Sequence, residues 1–130
     1  MGEKLTDTMT IVDHREKKIF LSDYRGLQRE ELARHIRTNT DALVEFAQSA
    51  KGDLLGLSDV SGCYGTPEVL AGFKDGTKRI RPYCKATAVV GLVGLQRYLL
   101  GIVNRFSGLE TKAFDTVDEA KDWLVEQTQT

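Results

Sequence analysis

The chain has few of the residue types that carry chemistry. Only two cysteines, Cys63 and Cys84, occur in 130 residues. They do not form a CxxC pair, and a chain of this length needs no disulfide scaffold, so neither a zinc ribbon nor a disulfide-stapled miniature fold is expected. The two histidines, His14 and His35, have no second histidine or cysteine at metal-ligand spacing. Each is read as a solvated or hydrogen-bonded structural side chain, and no metal, cofactor or catalytic residue is expected. No serine stands in a G-x-S-x-G elbow. An excess charge of one sign is also missing: 18 basic residues face 19 acidic ones, for a net charge of −1. That leaves no field to draw nucleic acid or an anionic membrane. No apolar run approaches the roughly 20 residues of a membrane span, and the best candidate is broken by Gln96, Arg97, Asn104 and Arg105. The opening MGEKLTDTMT lacks the apolar centre of a signal peptide. A reduced, cytoplasmic, non-enzymatic protein without stable membrane insertion is the expectation.

What is present is ordinary α/β material. A content of 41% hydrophobic and 28% charged residues suits a soluble globular protein. The length fits one domain over 1–130 by the usual range of about 100–200 residues, with 1–7 and 126–130 frayed. Met9, Ile11 and Val12, then Ile19, Phe20, Leu21 and Tyr24, mark two strands around the polar turn His14-Arg15-Glu16-Lys17. Leu32, Ile36, Leu43, Phe46 and Ala47 recur at helical spacing over 28–48. Asp53 to Val60 is a short apolar strand. Thr66-Pro67-Glu68 opens a helix, with a capping hydroxyl, a proline where no N–H is needed and a carboxylate at the positive end. Gly72 and Gly76 weaken its middle by up to about 1 kcal/mol each relative to alanine, and an irregular turn is expected there. Strands follow over 86–90 and 111–114. Thr116-Val117-Asp118-Glu119 is a capping box that starts a last helix, with Ala120, Trp123 and Leu124 inward.

The predicted order is β-β-α-β-α-β-α-β-α. It gives a sheet, mainly parallel after the first hairpin, with helices packed on it.

The stretch 86–108, ATAVVGLVGLQRYLLGIVNRFSG, is the most apolar. Gly91-Leu92-Val93-Gly94 sits between a strand and a helix, where backbone amides can hold an anion, with Arg97 as counter-charge. It lacks the third glycine of a dinucleotide fingerprint and the Gly-Lys-Ser/Thr of a P-loop, so the glycines are read as serving a close turn against the sheet. Around the helix over 95–106, at about 100° per residue, Val93, Leu95, Tyr98, Leu100, Ile102 and Phe106 leave only a thin polar side near Arg97 and Arg105. A helix on one sheet face needs an apolar stripe of a bit over 100°. The excess should meet a neighbouring helix, a second subunit or an apolar ligand.

In this order LLGLSDVSG, KATAVVGLVGLQRYLLGIVNRFSG and AFDTVDEAKDWL, with KKIFLSDYRGL before them, resemble a STAS-type domain, and more closely the SpoIIAA-like group of small bacterial proteins. That fold is shared by anti-sigma-factor antagonists and CRAL-TRIO lipid-binding domains. The resemblance implies a mixed sheet of four or five strands with helices packed mainly on one face, and a non-catalytic role. In the antagonists an Asp-Ser-Ser-Gly-like segment opens the helix after the third strand, and its phosphorylated serine switches partners. Here that place reads Tyr64-Gly65-Thr66-Pro67-Glu68; the serine pair is missing, and Thr66 is the nearest hydroxyl. The loop residues Ser61, Cys63, Tyr64 and Thr66 remain regulatory or ligand-facing candidates. A protein-interaction or regulatory module, self-associating as a homodimer or binding another protein, is the first expectation. Binding of a small apolar or acyl-chain ligand is the alternative.

Overall fold

The computed structural model of the chain describes residues 2–48, 53–93 and 111–129. Six strands form one mixed sheet in sequence order: β1 (Glu3–Lys4), β2 (Met9–His14), β3 (Lys17–Asp23), β4 (Leu54–Asp59), β5 (Cys84–Val90) and β6 (Thr111–Phe114). β1 to β3 pair antiparallel, and β3 to β6 pair parallel. The expected count of four or five is thus corrected to six. The addition is β1, two residues that pair with Thr10 and Ile11, too short to show an alternating pattern.

The hairpin turn is also tighter than its polar sequence implies. His14 and Lys17 are paired, which leaves only Arg15 and Glu16 in the turn, at φ 51° and 70°. Two successive residues at positive φ match the right-handed twist of the flanking strands.

Parallel neighbours need crossover segments. α1 (Arg29–Ala47) joins β3 to β4 and α2 (Pro67–Ile80) joins β4 to β5, ending in a 3₁₀ turn at Arg81–Tyr83. α3 (Val117–Glu126) follows β6. The helix expected over 95–106, with Leu95, Arg97, Tyr98, Leu100, Ile102 and Phe106, lies outside the described residues, as does the expected stop at 49–52.

Strand alternation sorts the core onto two faces. On one face, Ile19, Leu55, Leu57, Ala86, Ala88 and Val90 pack under Ala120, Leu124 and Val125 of α3. On the other, Phe20, Leu54 and Val89 meet Leu32, Ile36, Leu43 and Ala47 of α1 and Val69 of α2. Two of the three described helices therefore share a face, while α3 covers the opposite one. The Thr116 hydroxyl caps α3 by accepting the Glu119 amide at 3.2 Å and donates to the Glu119 carboxylate at 2.9 Å. His14 Nε2 lies 2.7 Å from Asp122 Oδ1, which ties α3 to the hairpin and holds the Asp122 carboxyl below its ordinary range.

Two helix details differ from the sequence expectation. α2 runs unbroken through Gly72 and Gly76. Gly76 is needed for close packing: a Cβ there would lie 2.8 Å from Thr40 Oγ1 of α1. Phe46 is 40% exposed at the edge of the core, its ring edge-on to Phe20 at 5.0 Å.

Candidate functional site

The carboxyl ends of β3, β4 and β5 form one rim, the usual ligand- and partner-facing edge of a parallel sheet. Each strand leaves into a loop that contains a glycine in the left-handed region: Gly26 at φ +79°, Gly62 at +78° and Gly91 at +95°. Such backbone is nearly free for glycine and strained for other residues. The loops are tied together. Tyr24 N donates to Asp59 O at 2.9 Å, and Val60 N to Val90 O at 2.8 Å. Gln28 Nε2 donates to Gly62 O at 2.8 Å, and Cys63 Sγ to Tyr24 O at 3.0 Å. Gly91 lies so near Ser61 that a Cβ on it would come within 2.6 Å of Ser61 Cα.

Charge within the rim is balanced locally. Arg25 makes a bidentate contact with Asp23, at 2.9 and 2.8 Å, and its Nε lies 3.8 Å from Asp59 Oδ2. The Arg25 guanidinium holds the Asp23 carboxyl below its ordinary range. Both partners are well exposed, so solvent screens the pair and it adds little to stability. Asp59 is buried. Its Oδ1 accepts from Ser61 N at 3.0 Å and from Ser61 Oγ at 2.7 Å, which closes the loop after β4.

The loop residues singled out in the sequence are brought together here, in unequal settings. Ser61's hydroxyl is turned inward to Asp59. Cys63 is buried, and burial pushes its thiol above the ordinary range; Cys84, buried elsewhere, is pushed up to about 12. A thiol that stays protonated at neutral pH is a poor nucleophile. Thr66 Oγ1 accepts the Val69 amide at 3.2 Å and so caps α2. Tyr64, at 72%, and Val93, at 70%, are the most exposed large hydrophobic side chains among the described residues. Also among the described residues, no group of three or more His, Cys, Asp or Glu is placed to hold a metal ion, and no helix is long and apolar enough to cross a membrane.

A second feature, between the sheet and the α1/α2 layer, was not singled out from sequence. Asn39 is 2% exposed in mid-α1. Its Nδ2, with two hydrogens to give, lies within bonding distance of Thr8 Oγ1 (2.9 Å), Ser22 Oγ (3.1 Å) and Tyr24 OH (3.2 Å), while its Oδ1 accepts from Thr6 Oγ1 (2.5 Å). His35, also buried, has Nδ1 3.4 Å from Thr8 Oγ1. Asn39 lies three residues after Ile36 and four before Leu43, within the apolar stripe. That spacing was the available signal of a buried polar hub. Beside this network is a cavity of about 130 Å³.

No protein-family profile matches the chain, and no curated protein matches it. Solved structures do. An uncharacterized protein with a SpoIIAA-like fold from Shewanella loihica superposes with a TM-score of 0.63 at 21% identity, over 89% of this chain and 91% of that one. An anti-sigma-factor antagonist (STAS) domain protein from Planctomyces limnophilus superposes with a TM-score of 0.60 at 15% identity, over 90% of this chain and 97% of that one. The chain thus has the SpoIIAA-like fold that these two structures share.

Proposed function

We propose that the chain is a protein-interaction module whose contact surface is the rim at the carboxyl ends of β3, β4 and β5, and that its partner is a second copy of itself. The observation that carries this reading is the pair Tyr64 and Val93. Both are apolar and more than two-thirds exposed, and they stand on neighbouring loops that the Ser61–Gly91 contact and the Val60–Val90 hydrogen bond lock together. A preordered surface loses little entropy on docking, and an exposed aromatic is the kind of side chain that anchors an interface. The rim around them is self-complementary in charge, with Arg25 between Asp23 and Asp59. The net charge of −1 puts little repulsion between copies.

The reading places this module in the cytoplasm, in keeping with two buried cysteines that form no disulfide, and assigns it no catalysis. Sedimentation velocity tests it. The wild type should shift from monomer to dimer with concentration, and Tyr64→Glu combined with Val93→Glu should weaken the dimer by about 100-fold, the size expected from removing two interface anchors. A wild type that stays monomeric at every concentration, or a double variant that dimerises equally well, contradicts it.

A further inference from the structure

We infer that the cavity between the sheet and helices α1 and α2 is a binding site for a small neutral molecule, about the size of one aromatic ring, carrying a single hydroxyl. Its floor is the sheet. Phe20, Gly56, Thr87 and Thr111 run across β3 to β6 in register, and the next row is Ser22, Ser58 and Val89. Its roof includes Ile36 and Leu43 of α1 and Leu70, Phe73 and Ile80 of α2. Gly56 is what leaves the middle of the floor open. It stands between Leu55 and Leu57, and a Cβ there would come within 3.3 Å of Thr87 Cγ2; glycine in a strand interior weakens the strand and often marks a site of close approach.

Size and charge define the occupant. The volume, about 130 Å³, is close to that of an apolar cavity of roughly 150 Å³ able to take up benzene. It is too small for a long acyl chain. None of the described lining residues is an aspartate, glutamate, lysine, arginine or histidine. An ion held by these residues alone would lose its hydration without a counter-charge, so the described lining favours a neutral molecule.

Hydrogen bonding defines the polar atom. Most hydroxyls around the cavity are already committed. Ser22 and Tyr24 are bonded to Asn39. Thr40 donates to Ile36 O at 2.8 Å and Thr77 to Phe73 O at 2.7 Å. Thr87 and Thr111 share a bond of 2.7 Å. Ser58 is the exception. Its side chain lines the cavity and makes no hydrogen bond among the described residues. One uncommitted, half-buried hydroxyl on a mostly apolar lining matches one hydroxyl on a ring.

The probes are phenol, toluene and benzoate, titrated into isotope-labelled wild-type protein with the amide resonances read by NMR. Phenol and toluene should give saturable shifts at Gly56, Ser58, Thr87 and Val89, with dissociation constants on the order of 1 mM, while benzoate gives none. Ser58→Ala should weaken phenol by roughly 5-fold, the value of one hydrogen bond, and leave toluene unchanged. Absence of saturable shifts at these residues in the wild type, or equal binding of benzoate, overturns the site. Equal loss of phenol and toluene in Ser58→Ala overturns the role given to the hydroxyl. Because the first readout uses the unaltered protein, the outcome does not depend on how any variant folds, and it is independent of whether the rim dimerises.

Discussion

Asn39→Ala is expected to destabilise the protein by roughly 3–4 kcal/mol, well beyond a typical surface change, because the side chain is a hub and not a single contact. Four hydroxyl groups use its two polar atoms: Thr6, Thr8, Ser22 and Tyr24. Ser22 and Tyr24 are buried and bond each other as well as Asn39, so its loss leaves the network a partner short, and a buried polar group lacking a partner costs about 1–3 kcal/mol. The network also has a structural reach. Thr6 Oγ1 accepts the amides of Thr8 and Met9, so the segment between β1 and β2 is held to α1 through Asn39. Loosening it should release β1 along with the network. Urea unfolding checks this: the midpoint should fall with little change in slope, and the melting temperature should drop by about 10–15 °C for a chain of this length. A cost under about 1 kcal/mol would mean that water replaces the amide easily, and the account of this buried hub would fail.

Gly91→Ala should cost a similar amount, roughly 3 kcal/mol, for a different reason. The residue sits at φ +95°, where a side chain alone costs about 1–2 kcal/mol. Its new methyl would also meet the Ser61 backbone, 2.6 Å from Cα and 2.5 Å from N. Backbone cannot step aside as a flexible side chain can, so the loop after β4 must move. The internal comparison is with Gly26→Ala and Gly62→Ala. Both positions have positive φ, but a Cβ at either meets nothing within 4 Å. Those variants should lose only the conformational term, about 1 kcal/mol. Thermal unfolding of the three alanine variants separates the contributions. If Gly91→Ala is no worse than the other two, the close approach of the two loops is not what orders the rim.

The parts of the fold that were legible in the sequence are those set by local rules. The Thr66-Pro67 start of α2 and the Thr116 cap of α3 depend on a few adjacent residues, and both were readable as such. β6 likewise coincides with the strand expected over 111–114. What was not legible depends on neighbours distant in sequence. α2 keeps its helix through Gly72 and Gly76 because α1 lies against it, and no pattern within α2 reveals Thr40. Phe46 falls on the apolar face of α1, but its position near the end of the helix puts it at the margin of the sheet. The rim was half legible. Ser61, Cys63, Tyr64 and Thr66 stood out as a loop after a strand. Which of them points outward depends on Asp59 claiming the Ser61 hydroxyl, Tyr24 O accepting from Cys63, and Val69 using Thr66. Tyr64 is left to face solvent. The cavity depended on Gly56 lying opposite Thr87, a fact of register and not of sequence spacing.

The central claim is that the exposed pair on this ordered rim is a contact surface between copies. Hydroxyl-radical footprinting at low and high protein concentration tests it at the side chains themselves. Tyr64 and Val93 should be oxidised readily in dilute protein and become protected as concentration rises, while Phe46, exposed away from the rim, keeps its rate. Protection at Phe46 with none at Tyr64, or rates that do not change with concentration at all, would contradict the assignment.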